Sequence, residues 1–369
     1  MKEKLVIIGA NDFQNQLILK AKELGYETHV FAWKDGSIGE RTADYFYPIS
    51  IVEKESILEE CKRIKPAGIT SIASDLAAIT VTYLSEQLNL NSNTYESVFA
   101  CTNKYEMRKK LQENNINTPG YVKVSTDKRT WDFSGLKLPV IVKPTDRSGS
   151  RGIYKIDDFN QIEETIKVAI EYSFEKQAIV EEFIEGNEYS CECISYHGIH
   201  NFLAVTKKFT TGAPQFIETG HMEPSDLSVE QIEKVKFEIF KALDALDIKN
   251  SASHSEFKLD KDGNVKIIEI GARMGGDCIG SDLVHLSTGY DFVKMVIDVA
   301  VNKEPVLIRD RTPQKTYIKF LFNQADIDEL EEFRLRNSDK IYRISKIEYE
   351  NIGKTVDSST RLGYYIYFE

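Results

Sequence analysis

The stretch 253-SHSEFKLDKDGNVKIIEIGARMGGD-277 decides the fold. SEFKL alternates polar and apolar residues, Asp262-Gly263 is a two-residue turn signal, and VKIIEIG returns as a second strand, so the segment predicts a β-hairpin. Its register sets Glu256 opposite Glu269. Phe257, Leu259, Ile268 and Ile270 fall on the other face, which reads as core. Like charges directly opposed across two strands destabilise a sheet. The pairing therefore calls for a cation between the acids. A hard divalent ion such as Mg2+, which takes carboxylate oxygens and draws further ligands from phosphates and water, would convert repulsion into coordination. The alternative is that one acid points to solvent or pairs with Lys258.

Working outward, the loop 145-TDRSGSRGI-153 follows an apolar strand that ends in Lys143-Pro144. Gly149 and Gly152 let backbone amides approach an anion, and Ser148 and Ser150 add hydroxyl donors. The phosphate-loop pattern GxxxxGK[ST] is absent, and an ordinary hairpin connection would look similar. Lys143 tilts the balance, because a lysine at the end of PVIVK needs an anionic partner or a route to water. The segment 179-IVEEFIEGNEYS-190 adds a strand end beside acids, an arrangement able to pair with a flat heteroaromatic edge and a ribose. Upstream, Lys104, Met107, Arg108 and Leu111 share one face of a helix over 103–115. Downstream, 210–226, with two prolines, reads as a long loop.

The rest of the chain frames these motifs. KLVIIGAN (4–11) and the alternating strands and helices up to about residue 95 predict a parallel sheet. Gly9-Ala-Asn-Asp-Phe is not a dinucleotide fingerprint. Antiparallel patterns occupy NEYSCECISY and IHNFLAVTKKF, amphipathic helices follow at 229–246 and through YDFVKMVIDVAVN, and β-rich sequence closes the chain from about 305. The 369 residues suffice for two or three domains. The formal charge is −11, from 47 basic and 58 acidic residues, which argues against a nucleic-acid surface. Five cysteines, at 61, 101, 191, 193 and 278, are scattered. Cys191-x-Cys193 lacks a second pair for a zinc site and reads as core. No signal region and no run of about 18 apolar residues is visible, so no membrane partner and a cytoplasmic location are expected.

In this order and spacing the motifs resemble the ATP-grasp superfamily, close to its carboxylate–amine ligases and the branch that is similar to the large subunit of carbamoyl-phosphate synthase. The resemblance covers roughly residues 1–300. It rests on Lys104, VIVKP, SGSRG, VEEFIEGNEYS, GHMEPS, SEFKL and IEIGARMGGD. It implies an α/β and α+β architecture: a parallel-sheet pre-ATP-grasp domain (1–95), an ATP-grasp module (96–303, with subdomains 96–177 and 178–303), and a small β-rich C-terminal domain (304–369). ATP and Mg2+ (or Mn2+) are the implied co-substrate and metal.

By the same resemblance, Lys104 and Lys143 contact the phosphates, and Ser148, Gly149, Ser150 and Gly152 close over them. Glu181, Glu182, Phe183 and Ile184 run along the adenine, with Ile268 on the nucleotide, and Glu188 holds the ribose. Glu256 and Glu269 hold the metal. His221 sits in a loop near nucleotide and substrate. Arg273 holds the substrate carboxylate or its acyl phosphate, and Gly275 and Gly276 border the substrate. The family usually has Asn two residues after the second glutamate, where this chain has Gly271. The implied activity is ATP-dependent joining of a small carboxylate, such as an amino acid, to an amine, with small molecules as partners and a homodimer as a common assembly. Alternatives are a ribonucleotide-acting ligase or carboxylase of purine biosynthesis, a non-catalytic ATP-binding regulator, and, more remotely, a Rossmann oxidoreductase. Asp277 reads as a helix N-cap.

Overall fold

In the computed structural model, residues 2–126, 131–149, 151–214 and 216–369 are described. The N-terminal strands β1 (Lys4–Ile8), β2 (Glu27–Phe31), β3 (Tyr45–Tyr47) and β4 (Gly68–Thr70) form a parallel sheet in the order β3-β2-β1-β4. Their connections carry helices α1 (Asp12–Glu23), α2 (Ile38–Thr42) and α3 (Lys54–Ile64). The near-continuous apolar run Leu5–Ile8 is fully buried, as a parallel strand covered on both faces requires. Helix α4 (Asp75–Leu88) starts at Ser74, whose side chain accepts from the Ala77 amide, an N-cap that satisfies one otherwise unpaired donor.

Helices α5 (Tyr95–Thr102) and α6 (Lys104–Glu113) lead into a small four-stranded sheet. It holds β5 (Tyr121–Ser125), β6 (Val140–Pro144), β7 (Tyr154–Ile156) and, after α7 (Ile162–Tyr172), β8 (Gln177–Glu182), in the order β5-β8-β6-β7. Strand β8 lies inside this sheet, paired on both sides. The small subdomain therefore extends past the division expected at 177.

The large sheet contains β9 (Asn187–Tyr196), β10 (Ile199–Thr210), β11 (Glu218–Glu223), β12 (Ser251–Leu259) and β13 (Val265–Gly271). Helix α8 (Val229–Ala245) packs on it, followed by α9 (Val284–Thr288) and α10 (Phe292–Ala300). The closing segment adds β14 (Thr316–Leu321), helix α11 (Gln324–Arg336), β15 (Ile341–Ile344) and β16 (Gly363–Phe368). It is β-rich as expected. Its strands extend the same sheet, in the order β13-β12-β9-β10-β11-β14-β16-β15, instead of forming one of their own.

Three expectations change. The segment 210–226 is not one long loop, because β11 occupies its middle and bonds to β10 and β14. The hairpin turn is also longer than Asp262-Gly263: the Gly263 amide donates to Asp260 O, and Asp260 and Asn264 close the loop. Glu256 still faces Glu269, because a β-bulge between Glu256 and Phe257 absorbs the difference and pairs Phe257 with Ile267. Ile267 takes the core position, and Ile268 leaves it. Cys191 and Cys193 are buried in the core with sulfurs 3.7 Å apart. Among the described residues, no helix is long and apolar enough to cross a membrane.

Candidate functional site

A cleft lies between the small sheet and the large one. The bulge at Ile268 aims that side chain and the Glu269 carboxylate into it together, the kind of redirection that bulges provide. Ile141, Ile153, Phe183, Ile184, Phe216 and Ile268 give the cleft apolar walls, with the Lys258 ammonium 4.7 Å over the Phe183 ring. The rest of the lining is largely charged.

Helix α6 delivers Lys104. Asn103 caps the helix by accepting from the Tyr105 and Glu106 amides, and the Lys104 amide donates to Thr145 O at 2.8 Å. The Lys104 ammonium then donates to Glu269 at 3.0 Å and to Arg147 O at 2.6 Å. One turn on, Arg108 is fully buried. It donates to Glu181 at 3.0 Å and to the Ile268 carbonyl at 2.7 Å, tying the small subdomain to the bulge. Lys143 finds in Glu181 the anion that its apolar strand required. Burial opposes the Glu181 charge, but Arg108 and then Lys143 outweigh it and hold its pKa near 2. Lys143 shares that counter-ion with Arg108, and burial lowers its own pKa. Glu181 thus anchors cations rather than lying free along a ring.

A second network crosses the large sheet. The Lys208 ammonium lies 3.4 Å from Glu188 and 3.5 Å from Glu218 and donates to Glu256. Burial opposes its charge, but the three carboxylates raise its pKa well above the ordinary lysine value. His254 bonds to the fully buried Glu192 and lies 3.3 Å from Glu256. Burial is outweighed by Glu192, which pushes the imidazole up to about 9. For Glu256, burial is overcome by Lys208 and then His254, and its pKa falls well below the carboxylate range.

Arg273, on the segment after β13, lines the cleft and pairs with Asp75 at the start of α4, at 2.8 Å and 3.3 Å. A Cβ at Gly271 would stand 3.2 Å from the Arg273 guanidinium carbon and 3.3 Å from Asp75, so a side chain there would press on that pair.

Of the residues singled out from sequence, Lys104, Lys143, Ser148, Gly149, Glu181, Glu182, Phe183, Ile184, Glu188, Glu256, Ile268, Glu269 and Arg273 line the cleft. Some are already engaged. The Phe183 amide donates to Pro139 O, the Ile184 carbonyl accepts from Lys258, and Glu182 accepts from the Gly120 and Lys137 amides.

Others lie elsewhere. His221 is in strand β11, not in a loop. It is buried, 3.9 Å from Asp277 and edge-on to Phe320, and burial lowers its pKa. Gly152 packs against Tyr172 and Pro144. Gly275 gives its amide to Glu192, and a Cβ there would sit 2.8 Å from the His254 ring, so it serves close packing. Gly276 faces Ala73. Asp277 has φ of 50° and accepts from Arg361 at 2.6 Å, so it is not a helix cap. Ser150 lies outside the described residues. Sequence reasoning missed Asp75, Lys208, Glu218 and His254 as members of the site. Only His254, two residues before Glu256 on a strand and so on the same face, carried a local signal.

The carboxylates suit a magnesium ion. Glu256 and Glu269 are in register, each about a fifth exposed, and each is balanced by a lysine. Among the described residues no group of three or more His, Cys, Asp or Glu is placed to hold a metal alone.

Comparison with known proteins gives the same fold. Residues 136–282 match the ATP-grasp domain. The chain is 26% identical over 301 residues to alanine–anticapsin ligase of Bacillus subtilis (72% of this chain, 63% of the relative). It is 23% identical over 272 residues to the carbamoyl phosphate synthase large chain of Caldanaerobacter subterraneus (70% of this chain, 24% of the relative). An uncharacterized Sinorhizobium fredii protein is 26% identical over 243 residues (64% of this chain), and the chain spans about half of its length (49%). Among solved structures, an L-amino acid ligase from Bacillus licheniformis superposes with a TM-score of 0.81 at 22% identity, covering 100% of this chain and 93% of that one. Phosphoribosylglycinamide synthetase from Anaerococcus prevotii gives 0.78 at 25% identity, covering 100% and 94%.

Proposed function

From the ATP-grasp domain that residues 136–282 match, we propose that this protein is an ATP-dependent carboxylate–amine ligase. The observation that carries the reading is one cleft lined both by apolar side chains and by two opposed carboxylates flanked by buried lysines. The apolar walls suit an adenine ring and the charged groups suit phosphates. The reaction class is supported by the alanine–anticapsin ligase and L-amino acid ligase among the similar proteins.

The chemistry follows from the charges. A carboxylate oxygen of the acid attacks the γ-phosphorus of ATP, the bond to the bridging oxygen breaks, and ADP leaves with its electron pair. The amine nitrogen then attacks the acyl carbon of the acyl phosphate, the C–O bond breaks, and phosphate departs as the amide forms and the nitrogen loses its proton. Lys104 and Lys143 stand where negative charge moves between oxygens, and fixed cations there favour the transition state. Magnesium held by Glu256 and Glu269 would supply charge neutralisation and alignment of the phosphates. Arg273 lines the cleft, held by Asp75 and the Met274 carbonyl, and its remaining N–H groups suit an acid or acyl phosphate, a match for a planar guanidinium. The apolar walls and the Ser148-Gly149 loop limit water, which would otherwise hydrolyse the intermediate.

Glu269→Gln should cut turnover at least 100-fold with the fold intact, and Arg273→Ala should raise KM for the acid far more than KM for ATP. Steady-state ADP release measures both. Near-normal turnover in Glu269→Gln, or a collapse of ATP binding alone in Arg273→Ala, would contradict the assignment.

A further inference from the structure

A second cavity opens beside Arg147 and Ser148, between helices α4 and α5 and the segment after α7. Arg147, Ser148 and Glu269 line both this cavity and the nucleotide cleft. Asp75 lines it too, and its partner Arg273 lines the cleft. The two spaces therefore meet where a γ-phosphate and a carboxylate would have to meet.

The wall supplied by α4 and α5 is apolar, with Leu76, Ile79, Tyr95 and Phe99, and Phe174, after α7, adds a ring on the side of Arg147. Three of these are large side chains left open to solvent, Leu76 at 45%, Tyr95 at 36% and Phe174 at 63%. Such exposure around a concave space marks a ligand surface better than it marks a core. Tyr95 and Phe99 stack at 6.3 Å, and the Arg147 guanidinium lies 4.3 Å over the Phe174 ring. The opposite rim is charged, with Asp146 and Glu175 beside Arg147 and Arg151. The Asp146 Oδ1 and the Arg147 Nε are both buried without a hydrogen-bond partner.

We propose that this cavity binds the acid substrate, and that the substrate is an α-amino acid with a branched or aromatic side chain. The side chain rests on the Leu76–Phe99 wall, the ammonium lies towards Asp146 and Glu175, and the carboxylate enters the junction beside Arg147. The inference rests on the ligase reading for the reaction, and on the cavity for the substrate class.

The test has two arms. The first measures ADP release with ATP, Mg2+ and pairs drawn from the twenty amino acids, in the wild type and in Leu76→Asp and Phe174→Asp. Both positions are exposed, and an acid in the first turn of α4 suits the helix dipole, so both variants should fold. Branched or aromatic acids should give at least tenfold higher kcat/KM than glycine, aspartate or lysine. Each variant should raise their KM tenfold or more, with KM for ATP within twofold of wild type. The second arm titrates leucine and phenylalanine calorimetrically into protein loaded with a non-hydrolysable ATP analogue. Acid-dependent turnover that prefers small or charged acids, or variants that leave KM unchanged, would overturn the cavity assignment and leave the ligase reading standing. Binding that both variants weaken, without any turnover, would support the cavity and sink the ligase reading. Neither binding nor turnover would overturn both.

Discussion

Lys208 is the residue on which the acidic half of the site depends. Its ammonium is buried and serves Glu188, Glu218 and Glu256 at once. Removing one partner of a buried charge pair costs about 3–5 kcal/mol, because the other charge is left uncompensated. Lys208→Met should therefore destabilise the protein by about that amount near neutral pH, read from urea unfolding. A loss below about 1 kcal/mol, the range of surface pairs, would mean that the carboxylates are hydrated and that the network is not closed. The sequence put Glu256 opposite Glu269 by counting from a two-residue turn, and the pairing holds because the bulge at Ile268 offsets the longer turn. It could not show Lys208, whose three partners arrive from β9, β11 and β12. Nor could it show the Asp75–Arg273 pair, which joins the N-terminal domain to the end of β13. Local pattern carries face and register, whereas long-range charge pairing is set by how the sheets assemble.

At the scale of elements, the bulge in β13 divides two adjacent isoleucines between two tasks. Ile267 is 1% exposed and belongs to the core, while Ile268 borders the cleft. Ile267→Ala should cost about 2–5 kcal/mol, the usual loss for a buried large aliphatic residue. Ile268→Ala should cost about 1 kcal/mol or less, since a half-buried side chain gives up little, and should instead raise KM for ATP several-fold. Equal stability losses would place both in the core and contradict the bulge. The sequence put Ile268 on the core face because Ile-Ile reads the same with or without an extra residue. It missed β11 for a related reason. Glu218-Thr-Gly-His-Met-Glu shows no apolar run and is flanked by Pro214 and Pro224, yet it lies between β10 and β14 with both edges bonded. Its polar side chains find partners there: Glu218 with Lys208 and Ser358, Glu223 with Thr206 and Ser287. Strand signals weigh apolar alternation, and a central strand built from paired polar residues has none to offer.

At the scale of the whole molecule, the long sheet links the site to the end of the chain. Arg361 reaches back from just before β16 to Asp277 and the Glu218 carbonyl. In the same sheet, Glu223 is fully buried, and burial pushes its pKa up to about 7 from an ordinary value of 4.5, against the hydrogen bonds from Ser287 and Thr206. A raised folded-state pKa means that the folded protein holds the proton more tightly than the unfolded chain. The stability from this group is complete below about 4.5 and is lost as pH rises through about 7. Glu223→Gln keeps an uncharged polar group of similar shape. It should remove that part of the decline, worth roughly 3 kcal/mol or less, and make the variant the more stable protein at pH 8 in denaturant melts. Parallel pH profiles for the two proteins would show that Glu223 is ionised in the fold. Order along the chain made the parallel N-terminal sheet legible, whereas the cleft and its lining were expected from the resemblance to ATP-grasp proteins, because each motif taken alone is unspecific. That the closing strands join the large sheet depends on edge pairing, which no local pattern specifies.

The most direct test of the central claim is oxygen transfer. With an acid substrate identified by ADP release and labelled with 18O in its carboxylate, the phosphate formed in each turnover is analysed by mass spectrometry. The acyl-phosphate route predicts one 18O in every phosphate released, alongside ADP and the amide. Phosphate carrying only 16O, or release of AMP and pyrophosphate, would contradict it.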